Sequence, residues 1–194
     1  MKFGFTDEQD MFRDTVRELF VDRCPPDAVR QSWGNDDGRV PGLWAALAEM
    51  GVLAVLAPEA AGGLGMNEVD LVRILEEAGY AGVPEPLVEH VAVAAPALAE
   101  AGHGALEAAI AGDSTITLNL SGEVIVGAAV AVVHRHGDAL QLVTEWQADA
   151  ATSIDQSRRL GVLTDIIAAD PLDGADPDLA FDRCLLYTSP SPRD

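Results

Sequence analysis

The hydrophobic period of this chain changes once, near Gly112, and that change limits the folds open to it. Before Gly112, apolar residues recur at helical intervals, which gathers them on one face of each helix. After it, Thr115-Ile116-Thr117-Leu118-Asn119-Leu120 alternates polar with apolar, the period of a strand. Helices in one stretch and strands in the next imply an α+β chain rather than a βαβ repeat. The expected organisation is an all-α helical domain over residues 1–112, a truncated β-barrel-like domain over 113–183, and a separate tail at 184–194.

The helical part is well punctuated. Thr6-Asp7-Glu8-Gln9 fits a capping box, Phe12, Val16, Leu19 and Phe20 share a face, and Cys24-Pro25-Pro26 stops the helix. A short helix over 27–32 and a polar loop over 34–38 precede a helix opened by Pro41 and carrying Trp44, Leu47 and Met50. Residues 52–56 read as buried core. Gly62-Gly63-Leu64-Gly65 then forms a sharp turn, and Asn67 caps a helix to about Ala78. Residues 83–86 form an extended break. A fifth helix from Leu87 to Gly102 is kinked or split by Pro96, and a short helix covers 106–111. In the β part, 128–133 is a strand, 134–138 a hairpin turn, 140–144 its partner, and 160–167 one or two more strands, with loop after Ala168.

Composition excludes some functions. Hydrophobic residues are 48% but aromatics only 5%, so small aliphatic side chains fill the core, as closely packed helices require. The net charge of −20, from 32 acids and 12 bases, repels phosphates and argues against nucleic acid or an anionic membrane as partner. No signal peptide and no membrane-length apolar run is visible, and Cys24 and Cys184 have no motif spacing, so a reduced, cytoplasmic setting is expected.

Few residues point to chemistry by themselves. The glycine turn has G-G-x-G spacing with no following lysine, which reads as a structural turn rather than a phosphate cradle. His134 and His136 would share a face on a strand and could bind a metal, but in a hairpin turn they are simply exposed; no metal is expected. Glu76 and Glu77 read as a solvated helix face, and Arg158-Arg159 as a surface turn or a phosphate contact. No Ser/His/Asp arrangement can be argued.

The stretch from Gly51 to Gly82, the run Ala108-Ala109-Ile110-Ala111-Gly112-Asp113 entering a strand, and Leu120-Ser121 at that strand's end resemble the acyl-CoA dehydrogenases. The likeness covers most of residues 3–183, the first two-thirds or so of a family member. It implies FAD-dependent α,β-desaturation of an acyl-CoA thioester, with electrons passed to an electron-transfer flavoprotein. It implies that Leu118, Leu120 and Ser121 contact the flavin, and that Leu87, Val91 and Ala94 line the acyl group. It places the catalytic base in a carboxyl-terminal helical domain, so no acid in this chain receives that role. Two departures stand out. Gly122-Glu123 replaces the family's Glu-Pro, and residues 128–133 hold no tryptophan. Residues 153–160, SIDQSRRL, resemble short divergent actinobacterial subunits of the steroid-degradation type, in which two unlike subunits share one flavin site. A homo- or hetero-oligomer is therefore implied, and a non-catalytic partner subunit is the alternative to an enzyme.

Residues 184–194, CLLYTSPSPRD, differ in composition from what precedes them and back-translate into a transposon adapter used for sequencing libraries. The expectation is a non-native tail, with natural sequence continuing beyond about Arg183.

Overall fold

The computed structural model of the chain describes residues 4–120 and 122–188. Helix α1 (Asp7–Arg23) begins at the expected capping box: the Thr6 amide donates to Gln9 Oε1 at 2.9 Å and the Gln9 amide to Thr6 Oγ1 at 3.2 Å. It ends at Cys24, and α2 (Pro26–Ser32) follows with proline in its first turn. α3 (Leu43–Glu49) leads into two single 3-10 turns, Val52–Ala54 and Glu59–Ala61. α4 (Glu68–Ala81) is capped by Asn67, whose carbonyl oxygen accepts from the Val69 amide at 2.8 Å.

α4 runs one turn further than the sequence suggests, through Gly79 to Gly82, which ends it in a left-handed conformation. The interruption at Pro96 takes a specific form. A π-helical turn (Val88–Ala94) runs directly into α5 (Ala95–Glu100), with Pro96 in the first turn of α5. Proline lacks an N–H and crowds the carbonyl of the turn before it, and a locally widened helix accommodates both. α6 (Ala105–Ile110) closes the helical part.

Five strands follow: β1 (Ile116–Asn119), β2 (Glu123–Ile125), β3 (Ala131–His136), β4 (Ala139–Ala150) and β5 (Leu160–Pro171), in the spatial order β1-β3-β4-β5-β2. β1 and β3 pair parallel, and the other ladders are antiparallel. The two end strands nearly meet. Thr117 Oγ1 of β1 donates to the Ile125 carbonyl of β2 at 3.0 Å, so the sheet almost closes on itself. This fits the expected α+β, barrel-like class.

Several boundaries differ from expectation. β2 is too short to show a period. The second long strand is shifted to Ala131–His136, because the β3–β4 turn needs only Gly137-Asp138, with Gly137 at φ 62° as a two-residue hairpin favours. Among the described residues, loop after Ala168 is confined to 172–176: β5 continues to Pro171, and α7 (Pro177–Thr188) packs on the π turn.

One hydrophobic core joins the two parts. Val16, Phe20, Leu43, Leu47, Leu53, Leu71 and Leu98 from the helices are continuous with Ile116, Leu118, Val133, Leu140 and Leu142 from the sheet. β1 touches the π turn directly, so the strand enters the core at the point where the helix is widened.

Candidate functional site

The junction between helices and sheet is held by an unusual set of buried polar residues. His90, on the π turn, is fully buried. Its Nδ1 accepts from the Ile116 amide at 3.1 Å, which makes Nε2 the donor, 3.1 Å from the Ala109 carbonyl. One imidazole thus ties the π turn to the end of α6 and the start of β1. Burial drives its pKa down to about 4, so it is neutral at physiological pH. The Trp44 ring meets it edge-on at 4.9 Å, and Trp44 Nε1 donates to the Gly112 carbonyl at 3.1 Å. Arg39 lies 4.4 Å over the same indole and donates to Thr115 Oγ1 at 3.1 Å.

A second set of contacts clamps the segment between β4 and β5 to the helices. Arg158 Nη1 donates to Glu89 Oε1 at 2.7 Å. Arg159 Nη2 donates to the carbonyls of Trp33 at 2.6 Å and Asn35 at 2.8 Å. Gly38 is needed opposite this segment, since a Cβ there would sit 2.0 Å from the Ser157 carbonyl oxygen. The arginine pair is half-exposed, and both side chains are engaged by the helical part.

The exit of β1 borders an open crevice of about 490 Å³, lined by Asn119, Gly122, His134 and β5 from Val162 to Ile166. Asn119 shapes it. Its Nδ2 donates to the Gly122 carbonyl at 3.1 Å, and its Oδ1 lies 3.3 Å from His134 Nδ1. Asn119 is buried between two leucines, and a buried amide in a strand demands partners, which is the signal by which sequence could have found it. Val162 and Ile166 give the crevice an exposed apolar wall. Strand alternation turns Leu118 and Leu120 the other way, into the main core, while Ser121 lies outside the described residues. His134 and His136 stand on β3 with ring centroids 6.4 Å apart, and among the described residues no group of three metal-binding side chains forms.

Of the residues expected to line an acyl group, Val91 and Ala94 are fully buried in the core. Leu87 borders a cavity of about 280 Å³, together with Leu75, Ala78, Val88, Glu85 and Arg158. Glu77 corrects the expectation of a solvated pair. It is 4% exposed and receives both Arg17 Nε at 2.8 Å and Nη2 at 2.6 Å, which hold its carboxyl below the usual range. Helix α1 supplies this partner from far away in sequence, where no local pattern could announce it.

The glycine turn has no amides to offer a phosphate. The amides of Gly63, Leu64, Gly65 and Met66 donate to the carbonyls of Pro58, Ala54, Ala57 and Val55. Gly63 has no room for a side chain, because a Cβ would sit 2.0 Å from the Ala57 carbonyl oxygen. Cys24 is equally inert. Burial pushes its thiol up to about 11, so it stays protonated. Among the described residues, no helix is long and apolar enough to cross a membrane.

The family described as acyl-CoA dehydrogenase, N-terminal domain, matches residues 6–115. The chain is 30% identical over 188 residues to acyl-CoA dehydrogenase IpdE2 of Mycolicibacterium smegmatis, covering 95% of this chain and 60% of that protein. A variant of the Tcur3481-Tcur3483 steroid ACAD superposes with a TM-score of 0.77 at 24% identity, over 93% of this chain and 61% of that one. A glutaryl-CoA dehydrogenase from Mycobacterium smegmatis in complex with FADH2 superposes with a TM-score of 0.70 at 16% identity, over 94% and 60%. The chain therefore spans about 60% of the length of these relatives.

Proposed function

The chain belongs to the acyl-CoA dehydrogenase family, and from that premise we propose that it forms the flavin-contacting part of an FAD-dependent enzyme that desaturates an acyl-CoA thioester between its α and β carbons. The observation that carries this reading is the crevice at the exit of β1. An apolar wall of Val162 and Ile166 faces polar groups on Asn119 and His134, a combination suited to an aromatic ring system with hydrogen-bonding edges. When bound, FAD supplies the hydride acceptor for such a desaturation.

This chain's own residues position and shield. Asn119 holds the Gly122 carbonyl after β1, and Ser121 contributes the flavin contact that the resemblance implies. Leu118 and Leu120 anchor the strand from the core side and set its depth. Leu87, on the wall of the 280 Å³ cavity, meets the acyl group, while Val91 and Ala94 support it from the core. The base that removes the α proton belongs to a carboxyl-terminal helical domain, as in the family. Electrons leave to an electron-transfer flavoprotein, in the cytoplasm.

A specific observation supports a second reading. Gly122-Glu123 follow β1 where the family carries Glu-Pro, and one solved relative bears two component names, Tcur3481-Tcur3483. On this reading the chain is a partner subunit that completes a hetero-oligomer without performing chemistry. The test is to load the protein, at its relatives' full length, with FAD and titrate acyl-CoA thioesters anaerobically. Loss of the oxidised flavin absorbance is expected. A protein that holds FAD but is bleached by no thioester would refute the enzyme and leave the partner subunit.

A further inference from the structure

Asn119 determines which nitrogen His134 offers to the crevice at the exit of β1. A carbonyl oxygen can only accept, so the Asn119 side-chain atom 3.1 Å from the Gly122 carbonyl is its amide nitrogen. The amide oxygen therefore faces His134 Nδ1, 3.3 Å away, and Nδ1 carries the proton. Burial above all, and His136 to a lesser degree, hold the His134 pKa below its ordinary value, so the ring is neutral at pH 8. Nε2 is then a bare lone pair. It has no partner among the described residues, yet it is not sealed inside the protein. His134 itself lines the crevice. A backbone carbonyl thus sets an amide, and the amide sets a tautomer.

An acceptor with one lone pair calls for a single donor on the ligand. The oxidised isoalloxazine ring has one ring N–H, at N3, and it is flanked by two carbonyl oxygens. The exposed carboxylate of Asp165 also lines the crevice. A carboxylate reaching for N3–H would set its second oxygen against one of the flanking carbonyls. A neutral imidazole nitrogen has no second acceptor and avoids that repulsion. The crevice, about 490 Å³, is also of a size to hold such a ring, since ligand pockets span roughly 300–1,000 Å³.

We propose that His134 positions the flavin by accepting the isoalloxazine N3–H on Nε2, with Asn119 fixing the tautomer that leaves this nitrogen free to accept. The proposal rests on the reading of the crevice as the flavin site. It gives Asn119 a part in flavin binding without contact, and it makes His134 selective for a ring that carries a proton at N3.

The test uses the flavin-free protein at its relatives' full length, at pH 8 and without thioester. Before flavin is added, long-range proton–nitrogen NMR spectra should show His134 with a protonated Nδ1 and a bare Nε2. The opposite tautomer would overturn the proposal. Dissociation constants are then measured by flavin fluorescence for FAD and for FAD methylated at N3, which has no N–H there to donate. Wild type should bind FAD about tenfold more tightly than the methylated form. His134→Gln supplies an amide oxygen as acceptor and should keep a clear preference for FAD, whereas His134→Phe should bind both forms about equally. A methyl group that merely crowded another residue would leave the preference intact in His134→Phe, and that result would overturn the proposal. If the phenylalanine variant does not fold, the wild-type Nε2 resonance decides: it should move when FAD is added and stay when the methylated form is added. Equal affinity of wild type for both forms would overturn the role of His134 and leave desaturation standing. Failure to bind either form would overturn both.

Discussion

His90 is the residue through which the two parts of the chain are joined. A single neutral ring satisfies a buried amide and a buried carbonyl on different elements. His90→Phe fills similar space but leaves both backbone groups unpaired, so it should lower stability by about 2–5 kcal/mol. Denaturant midpoints within error of wild type would show that the two bonds contribute nothing. Glu85 makes a pH-dependent contribution of its own. Burial lifts its carboxyl from 4.5 to about 7, with Arg39 opposing the shift and Asp37 adding to it. Its protonated form is favoured by folding, so its contribution is complete below pH 4.5 and is lost as pH rises through 7. His90 runs the other way: its contribution is present above 6.5 and lost as pH falls through about 4. Glu85→Gln shares His90 with wild type, so subtracting the two stability curves cancels the histidine. The variant should gain on wild type between pH 5 and about pH 7 and then level off toward pH 8. A constant difference across that range would mean that Glu85 keeps an ordinary pKa when folded.

At the scale of elements, sequence legibility followed the range of the interactions. The caps at Thr6 and Asn67, the proline stop after α1 and the glycine turn are local chemistry, and each was readable from neighbours in the chain. The extent of β4 and β5 was not. Trp146, Gln147 and Ala148 alternate poorly, because register shifts interrupt the ladder at Val143/Glu145, Glu145/Trp146 and Gln147/Ala148. The partners of Glu77, Arg158 and Arg159 escape local pattern for a related reason. Each is paired across the fold, and an ion pair between distant elements leaves no periodic trace. The candidate site was legible only in part. The resemblance points to Leu118 and Leu120 on β1, which face the core, while Asn119 of β1 and His134 of β3 line the crevice. Element packing predicts one further outcome. Leu47 on α3 is fully buried in the shared core, so Leu47→Ala should cost about 2–5 kcal/mol, measured by urea unfolding. A cost below 1 kcal/mol would mean that α3 can collapse onto the gap.

At the scale of the whole molecule, the proposed flavin site is a wall without an opposite face. The crevice at the exit of β1 is open, and Val162, 45% exposed, and Ile166, 36% exposed, stand on it in contact with solvent. A ligand held this way buries little of its surface, whereas tight sites bury 70–90% or more of a drug-sized ligand. The relatives are longer, and the chain spans about 60% of their length. The 194-residue chain alone is therefore expected to bind FAD weakly and to show no bleaching with acyl-CoA. It should also self-associate, because Tyr80 is 92% and Val21 73% exposed beside a groove of about 630 Å³ between α1 and α4. Supplying the remaining length of its relatives, or an unlike partner subunit, should yield a yellow complex of defined size. Visible spectra after gel filtration with FAD, run for the chain alone and for each combination, decide the matter. A stoichiometric flavin band and acyl-CoA-dependent bleaching from the chain alone would show that the β1 crevice is a complete active site and that nothing further is needed to close it.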